Sequence, residues 1–501
     1  MTSRSVSILI NNSLALIRAK ELDKANELLG KAQTMDGGNP DILRLLSVVA
    51  AMKFDYMEAL NLIDQVIFFA PGNAIAHSNR GNILKELHRF EEALSSLDAA
   101  IELAPDYAEA YNNKGNVLQD LHRYEEALKW YDKSISLQPD YAEAYSNKGN
   151  ALALLHRHDE AMEHFDAATN INPRYVDAYW HKAMCQLSGG DFGLGLINYE
   201  SRWFKNNPVD LFFSEIPRLE NIQNITDSNI LIWAEQGLGD SLQFCRYIKL
   251  LSDLGARVTF LVQRPLINVV RALSPFCELA VSLESSNCDF DFQSPLMSLP
   301  LVFRTSLDSI PVNVPYLKSD DYKRESFRIR LGTNNRLSVG IVWNGGFRAG
   351  APMLWAVNKR RNIELEQIAK LKDVPHVDFY SLQKGDPAES ELIAKKDELW
   401  PNIIIFGQWL DDFSDTAALI ENLDLIISVD TSTAHLAGAL GKPVWILNRY
   451  DSCWRWLRGR SDSPWYPTAK IYQQPKPGDW DSVLEQVRID LSALALQHLN
   501  Q

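Results

Sequence analysis

Asp240 is the carboxylate in this chain most exposed to a chemical reading. It sits in "WAEQGLGDSLQF", Trp233 to Phe244, after the apolar run that starts at Asn229 and before the helically spaced "CRYIKLLSDLG". Two glycines and an acid at such a junction can hold a dinucleotide, cradle a phosphate or aim a carboxylate at a substrate. Gly237 and Gly239 match the first two glycines of GxGxxG, but Leu242 stands at the third. The next strand ends in Val262, Gln263 and Arg264, without an acid for a ribose diol; Arg264 suits only a 2′-phosphate. The phosphate signature GxxxxGK[ST] is absent. The glycines instead let a tight turn present Asp240 at a helix start, where it either faces a substrate or N-caps a helix beginning at Ser241. Further on, "VDTSTAH" places Thr431, Ser432 and Thr433 where a strand gives way to a helix. Their hydroxyls and the unpaired N–H groups of the helix start can meet phosphate, or the segment is a plain capped helix with Asp430 packed structurally.

These residues need a frame. "NILIW", "ARVTFLVQ" and "CELAVSL" read as short buried strands alternating with helical segments. "FRIRLGTNN" reads as a linker. A second series follows in "LSVGIVWN", "VDFYSLQ", "IIIFG", "DLIISVD" and "KPVWILN", closed by the helical "DWDSVLEQVRIDLSALALQHL". The expected architecture is two doubly wound α/β halves, at 206–330 and 337–501, with a cleft between them. Ligands of open α/β sheets bind beyond the carboxyl ends of the strands. "EQGLGDS", "WNGG" (Trp343 to Gly346), "SLQKG" (Ser381 to Gly385) and "VDTSTAHLAGALGKP" all fall there.

The N-terminal part is repetitive. Segments starting at Ala74, Ala108 and Ala142 align with a 34-residue period, and Gly81, Gly115 and Gly149 coincide. So do Ala93, Ala127 and Ala161, and then Pro105, Pro139 and Pro173. Small residues let paired helices approach, and the proline stops the second helix. The pattern is that of the tetratricopeptide repeat (TPR). Weaker copies carry it to about 6–205, some six repeats with the last degenerate. Such a solenoid is lined on its concave face by the first helix of each pair. Asn79, Asn113 and Asn147 share one repeat position, and Asn82, Asn116 and Asn150 share another three residues later. An amide both donates and accepts, so these rows could grip the backbone of an extended polypeptide. His88, His122 and His156 share the turn between paired helices and read as turn residues.

Composition sets outer bounds. The 501 residues are 46% hydrophobic and 23% charged, as in an ordinary globular protein of two or three domains. A net charge of −14 argues against nucleic acid as the main partner. No apolar run reaches transmembrane length, and the N-terminus reads as an amphipathic helix rather than a signal peptide. Five cysteines without CxxC spacing suit a reducing cytoplasm, with neither structural zinc nor a disulfide frame.

The stretches "EQGLGDSLQFCRYIKLL", "SLQKG", "DTAALIENLDLIISVDTSTAHLAGALGKPVWIL" and "WRWLRGRSDSPWYP" resemble the GT-B glycosyltransferases related to bacterial heptosyltransferases, glycosyltransferase family 9. With its repeats the whole chain is similar to bacterial TPR-containing enzymes of that type, which include flagellin-modifying transferases and share an architecture with TPR-bearing O-GlcNAc transferases. The resemblance implies a TPR α-solenoid followed by a GT-B fold of two Rossmann-like α/β domains, the first on the acceptor side and the second on the nucleotide-sugar side. It implies inverting transfer without metal, the nucleotide-sugar being a co-substrate and no other cofactor being needed. Inverting transfer needs a base for the acceptor hydroxyl and a stabiliser for the leaving phosphate. The base maps onto Asp240, with Glu235 as substitute, and Gln236, Gly237 and Gly239 fall beside the acceptor. Donor contacts map onto Asp430, Thr431, Ser432, Thr433 and His435. In "NKRRNIEL", a basic motif before a helix, Arg361 takes the phosphate contact, with Lys359 and Arg360 as surface charges. Asn344, Ser381, Gln383 and Lys384 would line the nucleotide side, Lys384 being equally suited to face solvent.

The repeats are what simple heptosyltransferases lack. A protein acceptor explains them: the arm recruits a polypeptide, flagellin or another surface protein, while its Ser or Thr enters the cleft. A transferase of lipopolysaccharide or surface polysaccharide synthesis and a TPR adaptor with an inactive transferase domain are the competing readings. A homodimer is compatible with such an array. The Trp- and Arg-rich stretch Trp454 to Pro467 suits either stacking on sugar or base or packing in a structural loop.

Overall fold

The computed structural model describes residues 2–205, 213–283, 289–332, 335–346 and 355–500. "NNPVD" and the 205/206 boundary drawn at it fall outside these residues or at their edge. The chain forms two compact units, Met1–Cys185 and Gln186–Gln501.

The first unit is built of antiparallel helix pairs. Three of them, Ala74–Glu86 with Phe90–Leu103, Ala108–Asp120 with Tyr124–Leu137, and Ala142–Leu154 with His158–Ile171, follow the 34-residue frame residue for residue. Pro105, Pro139 and Pro173 each stand two residues beyond the second helix. Upstream lie Thr2–Arg18 with Leu22–Met35, and Pro40–Met52 with Tyr56–Phe69. The backbone marks the frame more widely than the side chains do. Lys20, Phe54, His88, His122 and His156 all take φ between 57° and 63°, and Gly190 takes φ 86°, each 34 residues from the next. His88, His122 and His156 are therefore left-handed turn residues. The glycines have a separate use. A Cβ on Gly81, Gly115 or Gly149 would come within 2.6, 2.5 or 2.7 Å of Leu97, Tyr131 or Phe165 on the paired helix.

The asparagine rows do something the sequence did not suggest. The amide of Asn113 donates to Ser78 Oγ (3.0 Å), that of Asn147 donates to Asn112 Oδ1 (3.0 Å), and Ser146 Oγ meets His181 Nδ1 (3.1 Å). These bonds form a seam between first helices of successive repeats. Asn116 accepts from Tyr131 OH (2.8 Å) on its own partner helix. The amide N–H groups of Asn113 and Asn147 are thus engaged within the solenoid, while Asn79, Asn82 and Asn150 are half-buried.

The second unit holds two parallel sheets. The first comprises β1 (Asn229–Trp233), β2 (Arg257–Leu261), β3 (Glu278–Ala280) and β4 (Phe292–Pro295), in the order β3-β2-β1-β4. The second comprises β5 (Leu337–Val342), β6 (Val377–Ser381), β7 (Ile404–Ile405), β8 (Leu425–Val429), β9 (Val444–Asn448) and β10 (Ala469–Gln473), in the order β10-β9-β8-β5-β6-β7. Both follow Rossmann order, so the winding reverses between β1 and β4 in one sheet and between β5 and β8 in the other. The arrangement is that of a GT-B fold. β4 and β10 escape the hydrophobic pattern because polar residues interrupt "FQSP" and "AKIYQ" and leave no continuous apolar run. The stretch read as a linker is largely helix. Asp321–Leu331 packs Phe327 on Phe406 (5.9 Å), and its Arg324 pairs with Glu421 (3.2 Å), so this helix belongs to the second sheet's layer. The unit boundary also falls earlier than 205. Phe192, in the helix Phe192–Tyr199, stacks on Trp465 (5.8 Å), and Tyr199 packs on Trp454 (5.9 Å), which joins that helix to the α/β layers.

Among the described residues no helix is long and apolar enough to cross a membrane. Cys185, Cys245, Cys277 and Cys453 are free thiols; Cys288 lies outside the described residues.

Candidate active site

At the first sheet's switch point, the chain leaves β1 through Glu235. Its side chain is fully buried and gripped by Arg202, whose Nε and Nη2 donate to the two carboxylate oxygens at 3.0 Å each. Met297 N–H, just past β4, donates to the same carboxylate (3.1 Å). Glu235 thus ties the two strands across the crevice, with both carboxylate oxygens engaged. Gln236 exchanges hydrogen bonds with Tyr199 OH (3.0 and 3.3 Å). Gln263, at the end of β2, donates to Gln236 O (2.9 Å) and accepts from Ser241 Oγ (2.8 Å), which pins the turn from below.

The helix starts earlier than expected, spanning Leu238–Phe244, with Asp240 inside its first turn. Asp240 Oδ2 accepts from Gly237 N–H (2.9 Å). Oδ1 forms an ion pair with Arg455, which comes from the loop after β9. Capping and reaching outward are therefore divided between the two oxygens. Gly239 answers the question of the second glycine: a Cβ there would lie 2.8 Å from the His435 ring and 3.5 Å from Ser432 Cα. Only glycine lets the Asp240 turn of one half rest against the "VDTSTAH" helix of the other.

That helix, Ser432–Ala439, starts beyond β8 at the second switch point. Among the described residues its N-cap, Thr431, makes no side-chain capping bond; Thr431 Oγ1 pairs with Ser428 Oγ (3.0 Å). Thr431, Ser432 and Thr433 are half-buried, and the first N–H groups of a helix have no partner within it. Arg361 spans this switch point. Its Nη1 donates to Asp430 O (2.9 Å), its Nη2 to Asn358 Oδ1 (2.6 Å), and its guanidinium fills the space beside Gly345. Arg361 closes the helix Trp355–Arg361 rather than preceding one, the next helix being Leu365–Ile368. Burial opposes the charge on Asp430, but the neighbouring guanidiniums of Arg361 and Arg449 help to outweigh it and hold the carboxyl below its usual range. Arg360 pairs with Asp451 (3.0 Å) instead of facing solvent alone, and Lys359 is exposed.

Three of the expected lining residues turn out to brace the site. Gln383 is buried and accepts from Asn344 N–H (3.0 Å) while donating to Asn344 O (3.1 Å), so it shapes "WNGG". Ser381 is fully buried and accepts from Gln383 N–H (3.3 Å). His435 is packed flat on Trp456 (5.0 Å), with Nδ1 at Tyr466 OH (3.1 Å) and Nε2 3.7 Å from Asp430. Burial pushes its pKa down to about 3, so the ring is neutral. Lys384 is more than half exposed, its amine bonded to Gly407 O (2.7 Å). Asn344 is half-buried at the crevice. The Trp- and Arg-rich loop is core: Trp454, Trp456, Trp465 and Tyr466 are buried, and Arg246 donates to Trp465 O (2.8 Å). Sequence reasoning named no role for Arg455, Arg202 or Gln263. Only Arg455 stood inside a motif already singled out.

The site therefore sets a carboxylate at one switch point beside a cation-rich helix start at the other. The glycosyltransferase family 9 (heptosyltransferase) model matches residues 391–466, which include Asp430 to His435 and Arg455, and two tetratricopeptide repeat models match 106–174 and 81–122. The chain is a TPR protein with a glycosyltransferase family 9 domain. This TPR-containing, heptosyltransferase-related chain is 26% identical over 345 residues to Protein FlbA of Caulobacter vibrioides, a match covering 63% of this chain and 54% of that one. It thus spans about half the length of that curated relative. Among solved structures, the repeats of YrrB, described as a TPR protein with an unusual peptide-binding site, share 26% identity over 35% of this chain and 90% of theirs, at a TM-score of 0.27. A thermophilic TPR protein of Thermus thermophilus, TTC0263, shares 20% over 36% and 99%, at 0.35.

Proposed function

We propose that this chain is an inverting, metal-independent glycosyltransferase that moves a sugar from a nucleotide-sugar donor to a Ser or Thr hydroxyl of a polypeptide recruited by the repeats. One observation carries the reading: the turn that bears Asp240, at the switch point of the first sheet, packs through Gly239 against Ser432 and His435 of the helix that starts after Thr431 in the second. The acceptor hydroxyl attacks the anomeric carbon on the face opposite the phosphate. A C–O bond forms to the acceptor, the anomeric C–O bond to phosphate breaks, and the nucleotide leaves with the electron pair. Asp240 takes the hydroxyl proton. The helix start and Arg361 meet the charge that develops on phosphate. Asn344, Asp430 and the hydroxyls of Thr431, Ser432 and Thr433 border the donor; Gln236, Gly237 and Gly239 form the wall beside the acceptor.

A protein acceptor, such as flagellin or another surface protein, is favoured by the family 9 domain being joined to five or more repeat turns, an arm that a small glycan acceptor has no use for. The solenoid offers the half-buried amides of Asn79, Asn82 and Asn150 together with the carbonyl of half-buried Asn147. We place the reaction in the cytoplasm, before export of the acceptor. The test is transfer of labelled sugar, from a panel of nucleotide-sugars, to candidate polypeptides and to lipid-linked glycan. Wild type should label polypeptide, and Asp240→Asn should lose about 10²–10⁴-fold in rate, the usual worth of a general base. Labelling of glycan alone would favour surface-polysaccharide synthesis; labelling of neither would leave an inactive adaptor.

A further inference from the structure

We propose that Arg455 is a catalytic residue that serves two anions in turn: it holds Asp240 in the resting enzyme and moves to the diphosphate of the donor when one binds. The inference rests on the reading of Asp240 as the base. As the structure stands, that base is not ready. Oδ2 is occupied by Gly237 N–H and Oδ1 by the Arg455 guanidinium. A guanidinium in contact lowers the proton affinity of a carboxylate, which is the opposite of what a base needs.

Arg455 is itself poorly satisfied. Its side chain is nine-tenths buried, yet among the described residues its Nε has no hydrogen-bond partner and its Nη1 points to the Cys453 sulfur (2.9 Å), a weak acceptor. A buried guanidinium has five donors in a planar fork, and paired phosphate oxygens match that fork better than one carboxylate oxygen and a thiol do. The site of such a phosphate is adjacent. Gly239, next to Asp240, is the residue that touches Ser432 and His435, so the Asp240–Arg455 pair stands beside the uncapped start of the Ser432–Ala439 helix.

A nucleoside diphosphate sugar seated on that helix start brings phosphate oxygens to Arg455. The guanidinium shifts its bonds to them, and Asp240 is released with its proton affinity restored. The acceptor oxygen then bonds to the anomeric carbon, the anomeric C–O bond breaks, its electron pair leaves on the diphosphate facing Arg455, and the proton goes to Asp240. The base is competent only when a leaving group is in place.

The experiment is calorimetric titration of the full chain with inorganic pyrophosphate, which needs neither the correct base nor an acceptor. Asp240→Asn keeps the bond to Gly237 but gives Arg455 no anion, so it should bind pyrophosphate about tenfold more tightly than wild type, the scale of one charge-assisted hydrogen bond. Arg455→Lys should bind about tenfold more weakly, and the double variant should match Arg455→Lys. Asp240→Asn binding no tighter than wild type, or no binding of pyrophosphate at millimolar concentration by either, would overturn the proposal. Should Arg455→Lys fail to fold, the Asp240→Asn arm decides alone. The two readings fail differently. If Asp240→Asn binds more tightly yet still transfers sugar at the wild-type rate, Asp240 is not the base. If it abolishes transfer without tightening, Arg455 does not choose between anions.

Discussion

Ion pairs are plentiful in both units, and the two populations behave as different physical objects. In the repeat unit the same pairs recur. Lys114–Asp98, Lys148–Asp132 and Lys182–Asp166 link the helices of successive pairs, and Arg89–Glu92, Arg123–Glu126 and Arg157–Glu160 start the second helix each time. Their carboxylates are about half exposed. In the α/β unit, beside exposed local pairs such as Lys249–Asp253 and Arg328–Glu325, two pairs are buried and join residues apart in the chain: Arg202 to Glu235, Arg455 to Asp240. Water screens the first kind and is excluded from the second. The repeated pairs decorate a scaffold that small residues already specify, whereas the buried pairs close the crevice at the first sheet's switch point.

The sharpest way to break this contrast is to remove one partner of the Arg202–Glu235 pair. Arg202→Met leaves the Glu235 carboxylate in the interior with Met297 N–H as its remaining named partner. Breaking a buried pair from one side costs about 3–5 kcal/mol, whereas replacing both partners by apolar groups is far milder. Arg202→Met should therefore lower the melting temperature of the α/β unit markedly, and Arg202→Met with Glu235→Leu should recover much of the loss. A single variant as stable as wild type would show that the pair does not close the first crevice.

A middle-sized effect comes from pH. His435 is held neutral, its folded pKa of about 3 lying below the ordinary value of 6.5. Between these values the unfolded chain binds a proton there that the folded chain does not. Stability therefore falls as pH drops through that window and is unaffected by this group above it, with a slope of up to about 1.4 kcal/mol per pH unit. Thermal melts from pH 7 to pH 4 should show wild type losing stability more steeply than His435→Asn. Parallel curves would mean the ring takes up its proton within the fold.

How much of this was legible follows from the same division. The repeats announce themselves because each contact is copied every 34 residues, so the glycines, prolines and turn histidines align without any knowledge of distance. Most strands were legible from apolar runs, and the ends of those runs located Asp240 and Thr431. Their partners were not. Arg455 lies 215 residues from Asp240, and Arg202 lies 33 residues from Glu235 in what reads as the tail of the solenoid. Nothing in local periodicity encodes which distant side chain fills a crevice. Gln383 and His435 were visible as polar residues in the right motifs, but burial, which turns a ligand contact into a brace, is a property of the packed layers. The asparagine rows taught the same point in the repeats: the spacing was plain, and the seam bonds that engage them were not.

The smallest effect is expected where the contrast predicts near silence. Lys148 Nζ lies 2.7 Å from Asp132, geometry as good as that of the Arg202 pair, but Asp132 is 59% exposed. Its charge is already well solvated, so the pair gains little from forming and loses little from breaking; after screening, such pairs are worth about 0–1 kcal/mol. The Lys148 stem is mostly covered, so Lys148→Met keeps the packing while removing the charge. Chemical denaturation of wild type and Lys148→Met at low salt should differ by a fraction of the Arg202→Met effect, and the difference should shrink as salt is raised, because the Debye length falls to about 3 Å at 1 M. The Arg202→Met loss should persist in the same salt, since no ions reach the buried carboxylate. Equal salt sensitivity of the two variants would mean that burial does not separate the two populations and that the distinction drawn between scaffold and site rests on sequence position alone.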